Sequence, residues 1–332
     1  MKKVWLWILI LIILGGLILW FWDFGKNQTM EFGVTFSKPQ ADYLGIDWQK
    51  AYTATLDDLG VRKLRLIAYW TEIEKVEGKF DFTDLDWQVK EAKKRDAKII
   101  MTIGRRVPRW PECFVPEWAK KLNEEEIQKK ITIMLEEVVK HYQKNSNILM
   151  WQVENESLVN WFGNCPVPDK EFVKKEIQLV KNQDFRPVLI TDSGELSFWQ
   201  KSLKLGGDYF GTTLYRTVWS ERIGYVNYKY LIPPAFYNLK ARLAGLYPPS
   251  VIIAELQAEA WLRDNVKIIP LEEQRLSMNP KKLEEAVQFA KQTGFGESYL
   301  WGVEYWYWLK TQKNDDSMWW TAKKIFEGHL PQ

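Results

Sequence analysis

The chain has few of the residues that metal and histidine chemistry need. In 332 residues there are two histidines, His141 and His329, and two cysteines, Cys113 and Cys165. No Cys-x-x-Cys spacing exists, so neither a zinc site nor a histidine-activated nucleophile is expected. A glycine-rich phosphate turn is also missing. The first predicted strand reads Phe32-Gly33-Val34-Thr35-Phe36-Ser37, which argues against a doubly wound nucleotide fold. Charge of one sign is not concentrated anywhere. The net charge is +3, and lysines and arginines are dispersed, so the footprint of a nucleic-acid binder is absent. There is no internal repeat and no low-complexity tract. No metal, organic cofactor or nucleic-acid partner is expected, and the sequence leaves the oligomeric state open.

Tryptophan is abundant, at 19 residues. A buried indole N–H needs a partner, so core packing absorbs only some of them. Stacking on sugar faces and dense aromatic packing both remain open for the rest. The bulk composition, 46% hydrophobic and 27% charged, is that of an ordinary globular domain with a large core.

From Val4 to Trp22 no residue is charged. Such a run, as a helix, spans roughly 28 Å, enough for a bilayer's hydrocarbon core. Tryptophans flank it at both ends, and Lys2 and Lys3 should stay cytoplasmic, leaving the rest outside. A cleaved signal peptide is the alternative. Its apolar region is usually shorter, and no small-x-small site precedes Asp23-Phe24-Gly25. The expected organisation is an anchor over 1–22, a linker over 23–29 and one domain over 30–332.

Within that domain, predicted strands at 31–36, 61–67, 98–103, 148–153, 187–191, 209–214, 251–254 and 298–303 alternate with amphipathic helices. One helix runs over 84–95 behind Thr83 as a candidate cap, and another over 123–142. A third is opened by Asn279-Pro280 and closed by Gly294. Strand–helix alternation implies a parallel sheet with right-handed crossovers. Eight strands imply an α/β fold, a (β/α)8 TIM barrel preceded by one N-terminal transmembrane helix. In such a barrel the chemistry lies at the C-terminal strand ends. Arg65, Asn155, Glu156, Tyr215, Glu255 and Trp301 then share one face. Cys113 and Cys165 fall on adjacent loops, where they can pair outside the membrane or stay as two unrelated thiols.

Two strand-end glutamates carry the chemical reading. Glu156 follows Ile148-Leu149-Met150-Trp151-Gln152-Val153-Glu154-Asn155, and Glu255 follows Val251-Ile252-Ile253-Ala254. Paired carboxyls are what glycoside cleavage requires, one to protonate the leaving oxygen and one to attack the anomeric carbon or activate water. Glu259, four residues beyond Glu255, is the rival nucleophile, expected further out on the loop. Glu154 alternates to the other side of its strand and is expected to be structural.

The stretch Trp151 to Glu156, with Asn immediately before Glu, resembles the strand-4 ending of glycoside hydrolase clan A. That clan comprises retaining (β/α)8 enzymes with the acid/base on strand 4 and the nucleophile on strand 7. Ala254-Glu255-Leu256-Gln257 is similar to the strand-7 motif of family-10 xylanases. Leu64-Arg65-Leu66, Trp70-Thr71-Glu72-Ile73-Glu74 and the run Glu77 to Asp86 resemble family-42 β-galactosidases. Trp301-Gly302-Val303 resembles the clan's strand-8 tryptophan. The resemblance covers about residues 30–310. It implies Glu156 as acid/base, Glu255 as nucleophile, Asn155 on the sugar 2-hydroxyl, and Arg65 and Tyr215 holding the nucleophile. Trp301 would floor the sugar site, and the substrate would be an oligo- or polysaccharide. The segment Gly104 to Pro111 departs from the xylanases by lacking their histidine. Trp70, Trp110, Trp161, Trp219 and Trp306 are further candidate sugar platforms. A transglycosylase using the same residues and a non-catalytic carbohydrate-binding barrel are the competing functions.

Overall fold

The computed structural model describes residues 2–228 and 231–329. Among the described residues ten strands form: β1 Glu31–Thr35, β2 Lys63–Ile67, β3 Lys98–Ile103, β4 Ile148–Val153, β5 Val188–Asp192, β6 Tyr209–Leu214, β7 Thr217–Ser220, β8 Gly224–Asn227, β9 Ile252–Gln257 and β10 Glu297–Trp301. Eight of them close into a parallel barrel in the order β1-β10-β9-β6-β5-β4-β3-β2, and β7 and β8 form a separate antiparallel hairpin. The fold is the expected TIM barrel, with helices between the barrel strands. The hairpin is an insertion between β6 and the next helix that the strand pattern did not reveal.

Local chemistry explains the helix boundaries. Helix Glu124–Tyr142 opens with a capping box: the Asn123 side chain accepts from the Glu126 backbone, and the Glu126 carboxylate accepts from Asn123 N–H. Helix Pro280–Gln292 begins behind Asn279, whose side chain accepts from Lys282 N, with proline in the first turn. Helix Thr83–Lys94 differs from expectation. Thr83 is its first residue rather than its cap, and Asp81 receives the Thr83 N–H instead.

β9 departs most usefully from the sequence reading. It runs through Glu255 to Gln257 instead of stopping at Ala254. It also carries one residue more than its neighbours. β6 Thr212 and Thr213 pair with Ile253 and Glu255, skipping Ala254, while β10 steps from Ser298↔Ile253 to Leu300↔Leu256. A bulge re-aims the side chains that follow it, and here it turns Glu255 into the barrel mouth.

The linker segment 23–29 lies against the end of helix Pro280–Gln292. Phe24 N donates to Gln292 O at 3.2 Å, and a Cβ on Gly25 would stand 1.8 Å from Lys291 O. Gly294, at φ +72°, closes against the Phe24 carbonyl from the other side. Before it, helix Lys2–Phe21 contains an apolar span, Val4–Phe21, long enough to cross a membrane and unburied by the barrel.

Cys113 and Cys165 form a disulfide with Cα atoms 5.3 Å apart, tying the loop after β3 to the loop after β4. The bridge closes 52 residues of separation. In a chain-entropy account, a loop of that size contributes roughly 4 kcal/mol. Reduction, or Cys113→Ala with Cys165→Ala, should lower the thermal unfolding midpoint by several degrees. Melting with and without reductant tests this, and an unchanged midpoint would count against it.

Candidate active site

Arg65 is the hub of the barrel mouth. It sits in the middle of β2, fully buried, and reaches across the barrel. Its Nε donates to Gln152 Oε1 at 2.8 Å, and Nη2 to Asn155 Oδ1 at 2.6 Å. Its Nη1 donates to Glu255 Oε1 and to the Ala254 carbonyl, both at 3.2 Å. Asn155 Nδ2 also donates to Glu255 Oε1, at 3.0 Å, and the Tyr215 hydroxyl donates to Oε2, at 2.9 Å. Both oxygens of Glu255 therefore face donors, the environment of an acceptor-only carboxylate.

Glu156 has the opposite surroundings. Among the described residues its carboxyl meets only the Thr213 hydroxyl, at 3.4 Å, while its backbone N–H donates to Thr191 Oγ1 at 2.9 Å. Burial pushes its pKa well above the usual carboxyl range, and the charges of Glu255 and Glu112 add to that effect. One carboxyl rich in donors beside one kept protonated is a division of labour suited to acid-assisted nucleophilic attack. Thus Glu156, Glu255, Asn155, Arg65 and Tyr215 converge in one site.

Trp301 ends β10 at the same mouth, but it is 7% exposed and tightly held. Its Nε1 donates to Glu259 Oε1 at 2.9 Å, and the Arg109 guanidinium lies 4.1 Å from its ring centroid. Arg109 bridges Glu259 and the fully buried Glu304. Glu259 is thus engaged with Arg109 and Trp301, and at most one face of Trp301 is left for a sugar. Glu154 accepts from the Arg106 backbone N–H at 3.2 Å, in keeping with a structural part.

Among the other tryptophans, Trp70 and Trp306 are not platforms. Both are fully buried, donating to Glu74 Oε2 and the Ala258 carbonyl. Their loop positions suggested exposure, but the helices following β2 and β10 begin there and fold the rings under the rim. Trp219 packs edge-on against Tyr225 in the hairpin. Trp110 and Trp161 are exposed.

Several site residues had no clear sequence signal. Glu112, Arg106 and Arg109 arrive on a tight hairpin after β3, in which Val107 N donates to Glu112 O and Arg106 pairs with Cys113. Arg109 and Glu112 adopt left-handed backbone, φ +88° and +74°, which costs a side-chain-bearing residue roughly 1 kcal/mol or more. Such positions gather at functional sites, and Glu156 is another, at φ +46°. The one legible hint was the dense Pro108-Arg109-Trp110-Pro111-Glu112 run. Trp261 and Phe162 likewise carry no sequence signal. With Tyr215 and Trp110 they form a line of rings from Glu255 to the rim, at centroid spacings of 5.1, 5.5 and 5.9 Å.

Comparison with known proteins agrees with this architecture. A family model for the β-galactosidases of glycoside hydrolase family 42 matches residues 47–175, less than half of the chain. A curated relative, β-galactosidase BgaA of Clostridium cellulovorans, is 23% identical over 184 residues, which are 49% of this chain and 28% of the relative. The chain thus matches under a third of that relative's length. Xylanase 10B from Thermotoga petrophila, solved with xylobiose, superposes at TM-score 0.56 with 12% identity, covering 93% of this chain and 97% of that one. A β-galactosidase from Bacillus circulans sp. alkalophilus superposes at TM-score 0.57 with 12% identity, covering 84% and 51%. At such identities the superpositions speak for the fold alone. The chain is a TIM barrel that matches glycoside hydrolases, the family-42 β-galactosidases, over part of its length, and it shares its fold with xylanases.

Proposed function

We propose that this protein is a retaining glycoside hydrolase acting on β-linked O-glycosides. The observation that carries the reading is the contrast at the barrel mouth. Glu255 is surrounded by donors from Arg65, Asn155 and Tyr215, whereas Glu156 is buried with one weak hydroxyl contact. In the first step Glu255 attacks the anomeric carbon while Glu156 gives its proton to the leaving oxygen. In the second, Glu156 takes a proton from water, which opens the glycosyl-enzyme with net retention. Asn155 meets the sugar 2-hydroxyl, a contact that strengthens as positive charge builds on the ring. Neither step calls on a metal or an organic cofactor. A transglycosylase would use the same site with a sugar acceptor in place of water, and product analysis with added acceptor separates the two.

The test is a hydrolysis screen of the detergent-solubilised chain on β-linked aryl glycosides and polysaccharides, with product stereochemistry read by proton NMR. Retention is expected. An inverted product, or no turnover on any β-glycoside, would overturn the reading.

The apolar span Val4–Phe21 supports an anchor that holds the barrel at the outer membrane face. Protease added to intact cells should degrade the barrel. Full protection, with the barrel recovered in the cytosol, would refute the topology.

A further inference from the structure

The apolar N-terminal helix and the barrel are joined with almost no slack. Helix Lys2–Phe21 ends just before Phe24, and three residues of chain span at most about 11 Å. The Trp22 and Phe24 rings stand 6.3 Å apart. Phe24 is held from two sides, its N–H by Gln292 O and its carbonyl by the close approach of Gly294. The Arg242 guanidinium lies 5.9 Å from its ring.

These contacts join the helix to one particular side of the barrel. Gln292 ends the helix that leads into β10, and Arg242 lies in the last turn of helix Pro234–Leu243, which leads towards β9. Both belong to the face where the parallel strands begin. On that face Glu31 N, opening β1, donates to Gly296 O, and Gly296 abuts Pro249 O ahead of β9. The barrel strands then carry the chain roughly 15–20 Å to the carboxyls at the mouth.

The same side exposes groups suited to a lipid interface. Leu243 is 82% exposed, Tyr247 is 69% exposed, and Phe185, just ahead of β5, is 96% exposed. A tyrosine ring with one wet end favours the headgroup depth. Lys26 and Arg242 are exposed beside Phe24, and long basic side chains of this kind reach from apolar surface to lipid phosphates. The mouth side also exposes apolar residues, Ile223 and Phe198 among them, but the short connection leaves them a strand's length further from the helix.

We propose that the face where the barrel strands begin, around Leu243 and Tyr247, rests on the lipid surface from which the helix emerges, so that the mouth opens away from the membrane. The substrate is then a glycan in the space beyond the membrane, and the headgroup of a lipid in the same leaflet stays out of reach of Glu156 and Glu255.

This orientation rests on Val4–Phe21 being a membrane anchor, and one experiment separates the two failures. Both native cysteines are in the bridge, so an introduced cysteine is the one free thiol. Leu243→Cys, Tyr247→Cys, Ile223→Cys and, as a reference beside the anchor, Asn27→Cys are each made in the full chain. Each is labelled with a fluorophore, checked by thermal unfolding and reconstituted into vesicles of phosphatidylcholine and phosphatidylglycerol. The quencher is a lipid spin-labelled on its headgroup, and flotation reports incorporation. Emission at positions 243 and 247 should fall as strongly as at 27, and emission at 223 should hold. Two positions on the face keep the test open should one variant not fold. Equal, small losses at 243, 247 and 223 would mean a barrel that tumbles on its tether, and a larger loss at 223 would mean a mouth turned to the membrane. Either result overturns the proposal. A chain that does not float with the vesicles overturns the anchor and this inference with it.

Discussion

Glu255→Ala is expected to lower kcat by on the order of 10⁴-fold or more, because it removes the atom that forms the covalent bond. A mechanism-based fluorosugar should label wild type on Glu255, located by peptide mapping. Azide should restore turnover of an activated aryl glycoside in the alanine variant, with inverted product. Glu259 is the informative control. Its carboxylate is committed to Arg109 and Trp301, so Glu259→Ala should act through the loosened Trp301 ring, with a raised KM and a smaller loss of kcat. Truncating Glu255 also leaves the Arg65 guanidinium buried with one charge partner fewer, and breaking a buried pair can cost roughly 3–5 kcal/mol. Glu255→Gln keeps the shape and should unfold nearer wild type while remaining inactive. A label on Glu259, or substantial activity in both Glu255 variants, would reassign the nucleophile.

Arg65 shows why part of the site could be read directly. Period-two alternation and strand-ending carboxyls are local signals, and they place Arg65, Asn155, Glu156 and Glu255 at one end of a barrel. The bulge at Ala254 was not legible, because it is a mismatch between three strands and no single strand records it. Glu112 was hidden for a related reason. It is brought to the mouth by a hairpin and a cross-loop disulfide, both long-range features within a loop that carries no periodicity. The tryptophans misled where exposure was inferred from position. Trp70 and Trp306 follow strands directly, but helices begin at or around them and bury the rings. The composition of 23–29 does not report its backbone contact with Lys291 and Gln292.

Glu156→Gln should cost roughly 10²- to 10⁴-fold in kcat/KM on substrates whose leaving group needs a proton, and far less on aryl glycosides with strongly acidic leaving groups. Its pH signature distinguishes it from Glu112. Glu156 donates only while protonated, and burial with Glu255 and Glu112 beside it raises its pKa well above the ordinary carboxyl range. Wild-type activity should therefore fall as pH rises through that elevated pKa. In Glu156→Gln the alkaline fall should vanish, because no proton remains to lose. In Glu112→Gln it should persist but move to lower pH. A neighbouring negative charge makes a carboxyl harder to ionise, so removing Glu112 lets Glu156 lose its proton earlier. The pH dependence of kcat/KM for the three proteins, measured on one substrate with a poor leaving group, decides the assignment. If the alkaline limb disappears in Glu112→Gln and survives in Glu156→Gln, Glu112 is the proton donor and the division of roles at the barrel mouth must be redrawn.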